Sequence, residues 1–356
     1  MKAPSHYLAR LGVLLVLLTV VLSACGGTAS GNTSGNANSP ITVHLGYFPN
    51  VTHAVALVGI ANGTFVKALG PNKLDASKTF NAGPALMEAL SAGDIDIGYA
   101  GPNPAINTYV KSHGDALRII AGASSGGASF IVRPGANIHG PQDLHGKKLA
   151  SPQKGGTQDV SLRHYLQKNG LKSTDDGGDV QIIPTDNANI LNEFKLGQID
   201  GAWVPEPWAT RLISEAHGQL LVDERTLWPN NKFITTVVVV RKDFLDQYPN
   251  IVQKFLTAHV ETVQYINNHP EQAQQIVNEQ LQKLTGKALS TPVLAGSFKK
   301  QDITYDPLAS TLFKAADNAY ALGFLGTSNP DLTGIFDLDP LNTVLSQKGL
   351  QKVSAS

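Results

Sequence analysis

An α/β fold in two lobes is predicted by three features of the 356-residue chain. Strand-like apolar runs alternate with helix-period segments, the pattern of α/β units on mainly parallel sheets. The body begins near Pro40, and the 316 residues after it are more than one compact core takes up. One segment also echoes another. "EALSAGDIDIGYAGP" starts at Glu88 and "NEFKLGQIDGAWVPE" at Asn192, 104 positions later. That offset pairs Gly93 with Gly197, Ile95 with Ile199, Asp96 with Asp200 and Tyr99 with Trp203. The echo implies similarly built lobes, each presenting an aromatic at the carboxyl end of a strand, where ligands of open α/β sheets bind.

The first 24 residues read as a targeting segment. Lys2 and Arg10 precede "LGVLLVLLTVVL", an apolar run of 12 residues, short for a membrane span. It ends in "LSAC", the pattern of a bacterial lipoprotein cleavage box, with Cys25 as the lipidated residue. Cys25 is the only cysteine, so a disulfide framework and a cysteine metal site are excluded. Residues 25–39 are small or polar and uncharged, which makes them a flexible tether reaching roughly 20 Å. Without residues 1–24 the chain carries 26 basic and 28 acidic residues, and no basic stripe recommends nucleic acid as a partner.

Along the body, "ITVHLGYF" is the first strand and "HAVALVGIANGTF" a helix stopped by Gly63. "GPALMEALSAG" is a helix ending at Gly93, "DIDIGYA" a brief strand, "NPAINTYVKSHG" a helix, and "ALRIIAGAS" and "SFIVRP" strands. "DLHGKKLAS" leads into a strand, followed by the loop "PQKGG" and the helix "TQDVSLRHYLQKNG". "DVQIIPT" is a strand and "NANILNEFKLG" a helix. "GAWVPEPWATRL" (201–212) reads as too proline-broken for a helix or an inner strand. "KFITTVVVVRKDFL" contains a long β-branched strand, and from Tyr248 the pattern is almost wholly helical.

The order of "GYFPNVTHAVALVG", "LSAGDIDIGYAGPNPAI", "GTQD" after a glycine-rich loop, and "LGQIDGAWVPEPWATRL", together with the lipoprotein box, resembles the nitrate/sulfonate/taurine class of ABC-transporter substrate-binding lipoproteins. The resemblance runs from Ile41 to "LDPLNTVL". It implies a type II periplasmic-binding-protein fold, with two α/β lobes joined by two hinge strands around a cleft. Mapped onto this chain, lobe one takes 40–131 and 237–350, lobe two takes 132–236, and "SFIVRP" and "TTVVVVR" are the crossings.

Three stretches are candidates for the cleft. Tyr99 and Trp203 would meet across it, with Trp208 behind the loop or in the core and Glu206 as the lone acid. Gly156, Thr157 and Gln158 stand at a helix start, a natural anion position, and Gly101 and Asn103 repeat that logic in the first lobe. The loop has no Gly-Lys-Ser/Thr, so nucleoside triphosphate binding is not supported. Phe48, Asn50, Thr52 and His53 fall where the first strand passes to helix. His53 there would bond a ligand, cap the helix or, with Glu206 reaching across, hold a metal, although no further ligand lies within a turn. The expectation is no metal and no cofactor. Arg133 and Arg211 lie nearby without an assigned role.

Catalysis has little support. No Gly-x-Ser-x-Gly elbow is present, and Asp94 and Asp96 alternate along a strand and face opposite ways. Pyrimidine synthases of thiamine biosynthesis share the fold but carry a cysteine-rich motif that this chain lacks. The reading is therefore a monomeric, lipid-anchored, extracytoplasmic solute-binding component of an ABC importer, partnered by a permease and its ATPase. Its ligand would be a sulfonate or taurine-like oxyanion. A thiamine-precursor pyrimidine, nitrate or bicarbonate are alternatives, ahead of an enzyme on the same fold or a surface receptor lipoprotein.

Overall fold

β-Branched runs give the strands, and glycines in the left-handed region close many of the helices, as Gly93 (φ 82°) and Gly197 (φ 71°) do at matching points. The computed structural model describes residues 39–355. The targeting segment, Cys25 and nearly all of the tether lie outside these residues.

The strands are β1 (Thr42–Gly46), β2 (Lys73–Asp75), β3 (Ile97–Ala100), β4 (Leu117–Gly126), β5 (Ala128–Val132), β6 (Lys148–Ser151), β7 (Gln181–Pro184), β8 (Gly201–Pro205), β9 (Gln219–Asp223), β10 (Ile234–Arg241) and β11 (Gln301–Ile303). The helices are α1 (Ala54–Ala61), α2 (Thr64–Leu69), α3 (Gly83–Ser91), α4 (Pro102–Lys111), α5 (Thr157–Lys168), α6 (Asn187–Lys195), α7 (Trp208–Ala216), α8 (Lys242–Gln247), α9 (Pro249–Asn268), α10 (Pro270–Thr285), α11 (Thr291–Phe298), α12 (Ala309–Ala321) and α13 (Asp339–Gln347).

Two sheets result, ordered β11-β4-β10-β3-β1-β2 and β7-β6-β8-β5-β9. In each, three consecutive strands are parallel and a central strand is antiparallel: β10 between β3 and β4, β5 between β8 and β9. Those two antiparallel strands are the first the chain forms after changing sheet. The changes fall at Gly126–Gly127 and within residues 224–233. They therefore miss the expected crossings, since "SFIVRP" holds all but the first residue of β5 of the second sheet and "TTVVVVR" lies in β10 of the first. Both sheets are covered on both faces, with four apolar clusters, two per sheet.

The echo is a structural repeat. Adding 104 to the bounds of α3 gives those of α6. Asp96 accepts from the backbone N–H of His44 (2.8 Å) and pairs with Arg241 (2.8 Å) at the end of β10. Asp200 accepts from the backbone N–H of Lys148 (3.0 Å) and pairs with Arg133 (3.0 Å) just past β5. In each lobe the Ile-Asp aspartate thus ties a parallel strand, β1 or β6, to the antiparallel one. The role left open for Arg133 is structural.

The proline-broken reading of 201–212 is corrected. β8 is an inner strand, pairing with β6 and β5, and α7 follows at Trp208. Pro205 is the last residue of the strand and Pro207 the residue before the helix, so neither removes an N–H that the ladder needs.

Candidate functional site

The carboxyl ends of the parallel strands of both sheets open onto one interlobe cavity. The first lobe lines it with Phe48, Asn50 and Thr52 after β1, Asn81, Ala82 and Gly83 at the start of α3, Gly101 and Pro104 at the start of α4, and Thr235 and Thr236 of β10. The second lobe adds Pro152, Gly156, Thr157 and Gln158 at the start of α5, Asn187 at the start of α6, and Pro205. Four helix N-termini therefore converge on one space.

Its chemistry follows from that list. No lining residue is Asp, Glu, Lys, Arg or His. Helix starts present backbone N–H groups and the positive ends of their dipoles, features that suit a small anion. Thr157 and Asn187 are each 6% exposed, and Thr157 Oγ1 and Asn187 Oδ1 have no protein hydrogen-bond partner. Buried polar atoms are normally paired, so these two stand out on the cavity wall, each beside a helix N-terminus.

The loop before α5 is held rigidly. Asp159, fully buried, accepts from Ser151 Oγ (2.8 Å), the Gly155 N–H (2.9 Å) and Arg163 Nε (3.1 Å). Gly156, Thr157 and Gln158, at the start of α5, line the cavity. Across the gap the lobes touch. A Cβ placed on Gly101 would lie 2.3 Å from Thr157 Oγ1. At the far edges of the two sheets, Asn81 Nδ2 donates to Asp186 Oδ2 (3.2 Å).

Of the residues singled out in the sequence, Phe48, Asn50, Thr52, Gly101, Gly156, Thr157 and Gln158 are brought together on this cavity. Tyr99, Trp203, His53, Asn103 and Glu206 are not on it. Tyr99 is fully buried among Phe65, Phe255 and other residues of the first core. Its hydroxyl donates to His259 Nδ1 (2.8 Å), because His259 Nε2–H donates to the Gly122 carbonyl (2.8 Å), and burial holds that imidazole down to about 4. Trp203 is fully buried in the second lobe, stacked on Phe130, and gives its N–H to Glu224 Oε2 (2.6 Å). The two rings lie in separate cores and do not grip anything between them. With helices on both faces of each sheet, an aromatic on a strand end is core whichever way it points.

His53 is 2% exposed, packs on Phe48 and accepts the Phe48 N–H on Nδ1 (3.3 Å). Burial pushes it down to about 3, so it is neutral and shapes the loop. Asn103 donates to the Ala315 carbonyl (3.2 Å) and anchors α4 to α12. Glu206, 1% exposed, accepts from Thr210 N (3.1 Å), Thr210 Oγ1 (3.0 Å) and Ser297 Oγ (3.1 Å), and burial raises its pKa above the usual carboxylate range. His53 and Glu206 thus have separate partners. Among the described residues no three His, Cys, Asp or Glu side chains gather as a metal site requires. Arg211 lies over the Trp208 ring (4.6 Å) and bonds Glu215 (2.7 Å).

Sequence reasoning missed Asn81, Ala82, Gly83, Pro104, Pro152, Asn187, Pro205, Thr235 and Thr236. A signal for two of them was present, since Gly83 and Asn187 stand 104 residues apart at the starts of α3 and α6.

Known proteins share this architecture. The chain is 32% identical over 214 residues to the taurine-binding periplasmic protein of Escherichia coli K12, an alignment covering 60% of this chain and 63% of that protein, under two thirds of its length. The alkanesulfonate-binding protein SsuA of Xanthomonas axonopodis pv. citri, solved bound to MOPS, superposes with a TM-score of 0.69 at 21% identity, covering 84% of this chain and 99% of that one. The periplasmic nitrate-binding protein NrtA of Synechocystis gives a TM-score of 0.67 at 16% identity, covering 86% and 88%. At those identities the two structures establish the fold, that of the periplasmic binding proteins, as the motifs implied. Residues 36–279, more than half of the sequence, match the NMT1-like family. The chain belongs to the NMT1-like family.

Proposed function

We propose that the chain is the extracytoplasmic solute-binding component of an ABC importer and that it takes a small oxyanion, a sulfonate first. The observation that carries this reading is the meeting of four helix N-termini on a cavity lined without any charged side chain. Dipoles and hydroxyls stabilise a sulfonate there with no formal counter-charge. The similarity to a taurine-binding and an alkanesulfonate-binding protein supports the same class. It also supports binding rather than catalysis.

Taurine itself fits less well than a plain alkanesulfonate. Its ammonium would find no carboxylate in the lining, because Glu206 faces Thr210 and Ser297, and Asp186 at the rim is bonded to Asn81. A thiamine-precursor pyrimidine loses its basis for the same reason, since the acid and the flanking Trp203 both lie outside the cavity. A ligand touching both lobes favours their closed arrangement, and the closed form would dock on a permease driven by a separate ATPase. Lipidation at Cys25 and the tether would hold the body, as a monomer, at the outer side of the cell membrane.

Isothermal titration with ethanesulfonate, taurine, nitrate, bicarbonate and a thiamine-precursor pyrimidine tests the ligand. Ethanesulfonate should bind most tightly and taurine about tenfold or more weakly, as expected for an unpaired ammonium. Tightest binding of the pyrimidine, or no binding of any anion, would overturn the reading. Release of the Cys25→Ala variant from the membrane fraction tests the anchor.

A further inference from the structure

Trp208 opens α7 in the second lobe, and its indole Nε1 donates to Oδ1 of Asn50 in the first lobe (2.9 Å). Asn50 is 5% exposed and lines the cavity. An indole N–H is a donor only, whereas a primary amide has an accepting end and a donating end. The amide must therefore turn its oxygen to Trp208. Its N–H2 group is left facing away from the indole, and among the described residues it has no protein acceptor.

The ring is held in turn from behind. Arg211 lies over it (4.6 Å), Glu215 accepts from Arg211 (2.7 Å), and Lys195 bonds Glu215 (3.1 Å). A line of contacts thus runs from the outer surface of the second lobe to an amide on the cavity wall of the first. Asn187, the buried amide on the other wall, has no partner fixing it, since its Oδ1 is unpaired. Asn187 can offer either end to a ligand, and Asn50 cannot.

We propose that Trp208 is a positioning residue that sets the polarity of the site: by claiming the Asn50 oxygen across the cleft, it commits the Asn50 amide to donate, so that the cavity selects ligands presenting acceptors. The inference rests on the oxyanion reading above and adds to it the side chain that enforces the choice. Backbone N–H groups at the helix starts already donate. Without Trp208 the Asn50 amide is free to turn, and a ligand bearing N–H in place of an oxygen gains an acceptor.

The test compares ethanesulfonate with ethanesulfonamide, which has the same shape but replaces one oxygen by NH2 and carries no charge. Trp208→Phe keeps the ring over Arg211 and deletes the N–H. Titration calorimetry on Trp208→Phe, Asn50→Ala and the double variant should show ethanesulfonate binding about tenfold weaker in Trp208→Phe, the loss expected for one hydrogen bond to a charged ligand. The preference for sulfonate over sulfonamide should narrow by a similar factor. Trp208→Phe should cost nothing further in the Asn50→Ala background. Arg211→Ala, which frees the ring without touching the cavity, should move the same preference in the same direction.

An unchanged preference in both Trp208→Phe and Arg211→Ala would overturn the inference. So would an equal loss for both ligands, or a Trp208→Phe penalty that persists in the Asn50→Ala background. Failure of the wild-type protein to bind any anion would instead overturn the oxyanion reading, and the inference with it.

Discussion

Gly101→Ala isolates the contact between the lobes. Gly101 sits at φ −71°, ψ 154°, a conformation open to any residue, so alanine introduces no backbone strain within the first lobe. Its methyl would lie 2.3 Å from Thr157 Oγ1 and 3.3 Å from Thr157 Cβ, both in the second lobe, while the nearest atom of its own lobe, in Pro104, is 3.7 Å away. The first of those distances is more than 1 Å short of ordinary van der Waals contact, about 3.5 Å. Thr157 is nearly buried and cannot swing clear cheaply. Overpacking of this kind costs about 1–3 kcal/mol, and here the cost falls on the closed arrangement alone. If only that arrangement grips the ligand, the apparent dissociation constant should rise about 5–150-fold. Ethanesulfonate titration reads the loss, and thermal unfolding without ligand should stay at the wild-type value or rise slightly, as Gly→Ala substitutions at compatible sites do. Small-angle scattering in saturating ligand should report a more open particle. Adding Thr157→Ala removes the clashing oxygen and should restore the compact form. Wild-type affinity in Gly101→Ala, or an equal loss of affinity and folding stability, would refute the reasoning.

Three further substitutions probe the cleft and the cores. Thr157→Val removes a hydroxyl that has no protein partner, so the free protein should be no less stable while ethanesulfonate affinity falls about 5–10-fold by calorimetry. Trp203→Ala should destabilise the protein by about 3–5 kcal/mol in urea unfolding and leave the affinity of the folded fraction unchanged, since the ring is core. Glu224, enclosed by Ser161 and Trp203, is pushed up by burial to about 7. It is held neutral in the native state at pH values where the unfolded chain has already lost the proton. Its contribution, roughly 3 kcal/mol, is complete below about pH 4.5 and lost as pH rises to about 7. Glu224→Gln should flatten that part of the stability profile, and the difference from wild type separates it from His53 and His259, whose neutral burial works with the opposite sign.

Much of the scaffold was legible because local signals agreed with the global pattern. Glycine stops, proline starts and the strand-helix alternation set the elements, and the Ile-Asp echo marked equivalent strands. The placement of the loop after β6 on the cavity was legible for the same reason, since its glycines stand directly before a helix start. The aromatics misled because periodicity says that Tyr99 and Ile97 share a face, without saying which. In a sheet covered on both sides that distinction decides nothing about exposure. His53 and Glu206 misled because a buried polar residue and a ligand-facing one have the same one-letter code. Only their partners, the Phe48 N–H in one case and Thr210 with Ser297 in the other, tell them apart. Thr235 and Thr236 were hidden in a strand that reads as pure core; they stand at its cleft end, 183 and 184 positions after Thr52, where no local pattern links them to that residue.

The position of β10 carries a consequence for how the chain is assembled. β3 and β4 are separated in the first sheet by a strand whose residues follow the whole of the second sheet in sequence. The second sheet, by contrast, is one uninterrupted segment from Ala128 to Asp223. A nascent chain can therefore complete the sheet of its middle segment while the first sheet still waits with the edges of β3 and β4 unjoined. Any truncation ahead of residue 234 would strand those edges, unsatisfied and available to a neighbouring copy.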